Sequence, residues 1–332
     1  MNRVKRMLMV GIVMLLSISA IPCTAQDDPV ASNRAVAERW MEIWQQADWD
    51  ALEGILAPDV VMHNPFLPTP MEGYDATQSW VASIGTAFED MDFTIEHLVA
   101  NEDYAAVHFS AEAVFANDYD LMGVPATGEP VKWSEIDVLR IEDGQIVEFW
   151  MGYDTLHMAQ EMGIAPPAED ATGDTTPTDA DTSAPGAGDP DANIALVEQF
   201  HTAVLNNQNI DLIPELFSEN FVLHDRADSR DVSYEGIAGV EAWVQPYFVM
   251  VPDLTFAIDE GLMVAEGDLV VFQWVGYGTH SGDVPDIPAS GNEIAVSGIS
   301  LYRLEDGKIA ETWFAMDTLS FLTQIEVIPP AE

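Results

Sequence analysis

The 332-residue sequence predicts an α+β fold written twice, each copy an antiparallel sheet curled around helices packed on one face. Three observations carry that prediction. Two blocks, Arg140–Leu156 and Arg303–Leu319, repeat one another around Asp143-Gly144 and Asp306-Gly307. Asp-Gly between two β-prone apolar runs signals a tight hairpin, because Gly supplies the positive φ that the turn needs. Unlike residues then recur at one spacing: Trp80 and Trp243, Asp90 and Asp253, Phe93 and Phe256, Gly128 and Gly291, Trp150 and Trp313, Asp154 and Asp317 each lie 163 positions apart. Such constancy marks a tandem duplication. Finally, residues 166–191 hold no aromatic residue and no Leu, Ile or Val, so they cannot form a core and read as a disordered acidic linker.

The elements follow in order. Residues 1–25 start basic and continue in a short apolar run from Met7 to about Ile21, the pattern of an export signal. Cleavage after Ala25 removes the only cysteine and sends the chain outside the cytoplasm, secreted or periplasmic; the alternative is a lipoprotein anchored through Cys23. From Ser32, a plausible N-cap, Val36, Trp40, Ile43 and Ala47 form a helical stripe. Asp48 or Asp50 can cap a second short helix, Val60–His63 reads as a strand, and Trp80, Val81, Ile84 and Phe88 mark a third helix. Strands are expected over 93–100, 103–116, 131–141 and 145–154. The pattern restarts at Val197, Phe200 and Val204, so the first domain spans 32–165 and the second 192–329. Pro246 interrupts the third helix of the second copy, where a kink or an early end is expected.

Composition excludes several functions. With 57 acidic residues against 11 basic, a net charge of −46 repels nucleic acid and anionic headgroups. The leader aside, no stretch inserts in a membrane. No histidine pair has metal-site spacing, no Gly-rich phosphate loop is present, and no Gly-x-Ser-x-Gly elbow supports Ser-His-Asp hydrolysis. No cofactor is implied.

In the second copy, Phe248–Leu254, Gly278-Thr279-His280-Ser281-Gly282, Ile287–Gly291 and Arg303–Leu319 together resemble the SnoaL-like polyketide cyclase (ester cyclase) family of the nuclear-transport-factor-2-like superfamily. The resemblance covers nearly all of 192–329 and implies two cone-shaped barrels that pair through their open sheets, as an intrachain pseudo-dimer or a homodimer. It also implies a catalytic set: Asp317, after the last strand's Trp, as acid/base, with His280 and His224 orienting the substrate. Trp313, Trp243, Tyr247 and Trp274 are the candidate substrate-binding residues. The first copy keeps the weaker counterparts His63, Trp150 and Asp154 but has Val114–Asp118 where the second has its Gly-Thr-His-Ser-Gly run, so it reads as degenerate.

Period-two geometry puts Trp313 and Asp317 on one strand face. If that face lines an apolar cavity, burial raises the carboxyl pKa toward the range a general base needs. The plain alternative is that Asp317 caps the helix beginning at Thr318. Three functions remain: cofactor-free acid/base conversion (cyclase, isomerase or hydrolase type) of a small hydrophobic carbonyl or ester compound, non-catalytic capture of such a molecule, and pure assembly. An apolar cavity with Asp317 turned outward favours capture.

Overall fold

The computed structural model describes residues 28–165, 185–224, 234–285 and 287–329. The leader expected over 1–25 lies outside the described residues, as does most of the linker expected over 166–191.

The first half runs α1 (Pro29–Gln46), β1 (Leu56–His63), β2 (Met71–Glu72), α2 (Tyr74–Ala87), β3 (Phe88–Ala100), β4 (Tyr104–Phe115), β5 (Pro130–Glu142), β6 (Gln145–Tyr153) and α3 (Thr155–Glu161). The second half begins with α4 (Pro190–Gln199), which continues as a π-helix over Phe200–Asn206, then α5 (Ile213–Leu216), β7 (Phe217–His224), β8 (Tyr234–Glu235) and α6 (Gly236–Met250). It closes with β9 (Thr255–Phe256), β10 (Leu262–Glu266), β11 (Leu269–Thr279), β12 (Glu293–Glu305), β13 (Lys308–Met316) and α7 (Thr318–Gln324).

Local chemistry explains both the matches and the departures. α1 starts one turn before the expected cap, because Asp28 accepts from Val30 N–H and Pro29 fits the first helical turn; Ser32 is therefore internal. Its stripe of Val36, Ala37, Trp40, Ile43 and Trp44 is buried. The expected second helix is a short 3₁₀ helix, Trp49–Gly54, and Leu56 already belongs to a strand. α6 runs on through Pro246 to Met250 instead of stopping: Pro removes one backbone bond, but Trp243, Val244 and Met250 stay buried on either side of it. Asp143, Gly144, Asp306 and Gly307 all have positive φ, giving each hairpin a two-residue turn that matches the strand twist.

The first sheet is ordered β2-β1-β6-β5-β4-β3, and the second β10-β11-β12-β13-β7-β8, with β9 beside β11. Both are mixed, not purely antiparallel: β1 runs parallel to β6, and β7 to β13. Their outer strands do not pair, so each sheet stays open and does not close into a barrel. Helices cover one face of each. The opposite faces meet, and Val99, Ala106, Ile136 and Val138 of the first sheet share one buried cluster with Val264, Val271, Ile299 and Leu301 of the second. The approach is close at Gly152, where a Cβ would stand 2.8 Å from Ile299 Cγ1. Polar contacts frame this face. Glu266 pairs with Arg34 and accepts from Ala100 N–H at 2.9 Å, while Thr155 Oγ1 donates to Asp317 Oδ1 at 2.8 Å.

Candidate functional site

In the second half the helices and the sheet enclose a cavity of about 50 Å³, lined by Trp243, Tyr247, Trp274, His201, Tyr302 and Phe314 among others. Its lining is almost wholly apolar, and no carboxylate among the described residues borders it. Polar atoms there are few. Trp274 Nε1 donates to Ser300 Oγ at 3.0 Å, and His201 Nε2 lies 2.9 Å from the Tyr302 hydroxyl. Burial pushes His201 down to about 3 and pushes the Tyr302 phenol up, so both are neutral in use. His201 Nδ1 and Trp243 Nε1 are buried with no hydrogen-bond partner. His201 is not among the residues that the sequence singles out. The signal that could have found it is its position, 161 residues after Trp40, at a core site of the first helical stripe.

Of the candidate binding residues, Trp243, Tyr247 and Trp274 line this cavity, and Trp313 does not. None of Asp317, His280 and His224 lines it either. The reason is parity on β13: Phe314 and Met316 point inward, so Trp313 and Asp317 point to the other half. Trp313 stacks on His224 with ring centroids 4.5 Å apart. His224 Nε2 lies 2.8 Å from Glu311 Oε2, and Arg303 Nε donates to Glu311 Oε1 at 2.7 Å. The His224 hydrogen bond, supported by Arg303, holds the Glu311 carboxyl down at about 2.

Asp317 serves as the cap of α7, accepting from Ser320 N–H at 3.1 Å as well as from Thr155. Burial raises its pKa, and those bonds oppose the rise. Asp154 caps α3 in the same way, accepting from Leu156 N–H at 2.9 Å and His157 N–H at 3.1 Å, and burial raises its pKa too. His280 was expected to orient the substrate. It is instead fully buried, with Nδ1 accepting from Ser290 N–H at 3.2 Å. In the first half His63 stacks on Trp150 at 5.0 Å, His63 Nε2 lies 2.9 Å from Glu148, and Arg140 Nε donates to Glu148 at 3.1 Å. The two copies thus carry one Arg–Glu–His–Trp chain each, on the faces turned toward one another.

The interior of the first half holds what the second lacks. Glu135 and Asp137, on the helix-covered face of β5, are 4% and 1% exposed. Trp133 Nε1 donates to Glu135 Oε2 and Trp40 Nε1 to Asp137 Oδ2, both at 3.0 Å. Burial pushes both carboxyls up, Glu135 well above its ordinary value with Asp137 adding to the rise, and Asp137 to about 6. These residues were missed by sequence reasoning, although Trp133-Ser134-Glu135-Ile136-Asp137 places two acids at inward parity. No group of three or more His, Cys, Asp or Glu side chains poised for a metal occurs among the described residues. A second cavity, of about 670 Å³, opens between the halves beside His63, Trp150 and Asp317.

A curved mixed sheet with helices on its inner face and a partner sheet on its outer face, present twice, defines a tandem nuclear-transport-factor-2-like α+β protein. The SnoaL-like polyketide cyclase model matches residues 195–325, and the SnoaL-like domain model matches residues 37–149. The chain belongs to the SnoaL-like family, as two of its domains in tandem. No curated protein matches it. Among solved structures it is similar to TsrD from Streptomyces laurentii, 27% identical, covering 42% of this chain and 98% of that one with a TM-score of 0.37. A protein of Jannaschia sp. CCS1 assigned to the SnoaL-like polyketide cyclases is 24% identical over 42% of this chain and 95% of that one, TM-score 0.37. An LEH-like epoxide hydrolase of M. tuberculosis is 14% identical over 41% and 87%, TM-score 0.34. Membership points to a cofactor-free catalytic or binding function. No helix among the described residues is long and apolar enough to cross a membrane.

Proposed function

We propose that this chain is an exported capture protein whose second domain binds a small neutral molecule bearing one hydrogen-bond acceptor. The observation that carries this reading is the cavity's polarity: apolar walls, no carboxylate among its described residues, and a lining tryptophan, Trp243, whose buried Nε1–H has no hydrogen-bond partner. A buried donor without a partner costs about 1–3 kcal/mol, which a ligand carbonyl or ether oxygen would recover. A volume of about 50 Å³ has room for roughly two water-sized groups, so the ligand is short, or α6 moves at Tyr247 and Phe248 to admit more. The acid/base reading needs Asp317 inside that cavity, and Asp317 faces the other way. Export rests on residues 1–25. The sheet-to-sheet cluster supports an intrachain pseudo-dimer, which crosslinking in solution would break by finding the halves independent.

The test is ligand-observed NMR with butanone on the full chain. Wild type should bind, and Trp243→Phe, which keeps the ring and loses the N–H, should bind about tenfold more weakly, equivalent to ~1.4 kcal/mol. Turnover of a carbonyl or ester compound that disappears in Asp317→Asn would overturn capture and restore catalysis.

A further inference from the structure

The contact between the sheets contains two equivalent niches, and only one is filled. Strand register defines the equivalence. Tyr104 pairs with Arg140 as Leu269 pairs with Arg303; four residues on, His108 pairs with Ile136 as Gln273 pairs with Ile299. His97, the partner of His108 on β3, therefore corresponds to Leu262, the partner of Gln273 on β10. Each niche is floored by one Arg–Glu–His–Trp chain.

Against Trp313 the first half sets its own imidazoles. His97 lies 4.5 Å from the indole at a 57° tilt and His108 lies 5.8 Å away. His97 Nδ1 meets His108 Nδ1 at 3.1 Å, and His108 Nε2 meets Ser134 Oγ at 3.0 Å. Against Trp150 the corresponding positions are Leu262 and Gln273, neither of them a ring, and both line with Trp150 the cleft of about 670 Å³. One side of the molecule thus shows which ring shape the other side accommodates: a planar nitrogen heterocycle against an indole.

Charge separates the two niches further. The open cleft is lined by Glu148, Glu260 and Asp317, and Arg140, which also lines it, is already paired with Glu148 and Glu142. Glu260 accepts from the Tyr277 hydroxyl at 2.8 Å and Asp317 from Thr155 at 2.8 Å, but neither is ion-paired among the described residues, and an aromatic face beside such carboxylates attracts a cation. We propose that this cleft binds a planar nitrogen-heteroaromatic cation, seated against Trp150 where His97 sits against Trp313, with its charge toward Glu260 and Asp317.

The test uses the full chain and 1,3-dimethylbenzimidazolium as probe, read by tryptophan fluorescence and calorimetry. Naphthalene-2-sulfonate and indene serve as the anionic and neutral planar controls. Wild type should bind the cation at least tenfold more tightly than either control. Leu262→His with Gln273→His, which copies the filled niche into the open one, should abolish binding, and Glu260→Gln should weaken it about threefold. Trp243→Phe should leave it unchanged, which separates this site from the cavity of the second domain. Should the double variant fail to fold, Glu260→Gln alone decides. No cation binding by wild type, equal binding of a control, or full binding in a folded double variant or in Glu260→Gln would overturn the proposal.

Discussion

The two halves share one scaffold and differ in what they put inside it. At the same place on the first long helix, Trp40 in one half and His201 in the other reach to the central strand. Trp40 donates to the buried carboxyl of Asp137, and His201 meets the phenol of Tyr302. Asp137 itself corresponds by register to Ser300, since Val107 pairs with the one as Phe272 pairs with the other. The half that keeps the family's sequence signature has a neutral interior. The half that departs from it buries two acids. Family motifs at strand ends and turns secure the scaffold, while interior chemistry is set by alternating strand positions that those motifs do not include.

The widest separation between the halves should appear at that helix position. Trp40→Ala removes a fully buried indole and leaves the Asp137 carboxyl without its donor, so a loss of about 3–5 kcal/mol in urea unfolding is expected. His201→Phe keeps aromatic volume and loses one hydrogen bond, so it should change stability by no more than about 1 kcal/mol. Equal costs would break the comparison.

A smaller effect, with a sign, concerns the buried acids. Burial holds Asp137 at about 6 against an ordinary 3.8. The folded state therefore keeps a proton that the unfolded chain releases, and stability falls as pH rises from about 4 to about 6, then levels off. Asn cannot titrate. Relative to wild type, Asp137→Asn should look worst near pH 4.5 and best near pH 7.5, the gap moving by about 1 kcal/mol or more. His97 and His201, depressed to about 4 and about 3, act in the opposite direction but equally in both proteins, so they cancel. A gap independent of pH would mean that folding does not raise the Asp137 pKa.

How much of this was readable beforehand depended on the kind of signal. The duplication, the strand ladder and both Asp-Gly turns were legible, because spacing and positive-φ turn chemistry are local. Trp243, Tyr247 and Trp274 were also legible as cavity residues, since large aromatics on a helix and a central strand have few other places to go. Parity was not. Trp313 and Asp317 share a face as expected, but which face turns inward is fixed by the helices that cover the sheet, and an alternating strand does not declare it. The parallel pairing of β1 with β6 and the open sheet edges were hidden for the same reason: they arise between segments far apart in the chain.

The finest test of the comparison lies where the halves touch. Asp154 and Asp317 hold equivalent posts, each capping the helix after its last strand, and each meets the threonine of the opposite copy: Thr318 for Asp154, and Thr155 for Asp317. If capping is the whole role of Asp317, Ala in its place should cost about 1 kcal/mol. Asn, which caps as well as Asp, should cost only a few tenths. The same pair of substitutions at Asp154 should follow the same order. Asp317→Asn should also leave butanone binding in the second domain untouched, because the carboxyl lies across the sheet from that cavity. A cost well above that of a cap, found at Asp317 and not at Asp154, would mean that the second copy asks more of this carboxyl than holding a helix end and a neighbouring hydroxyl.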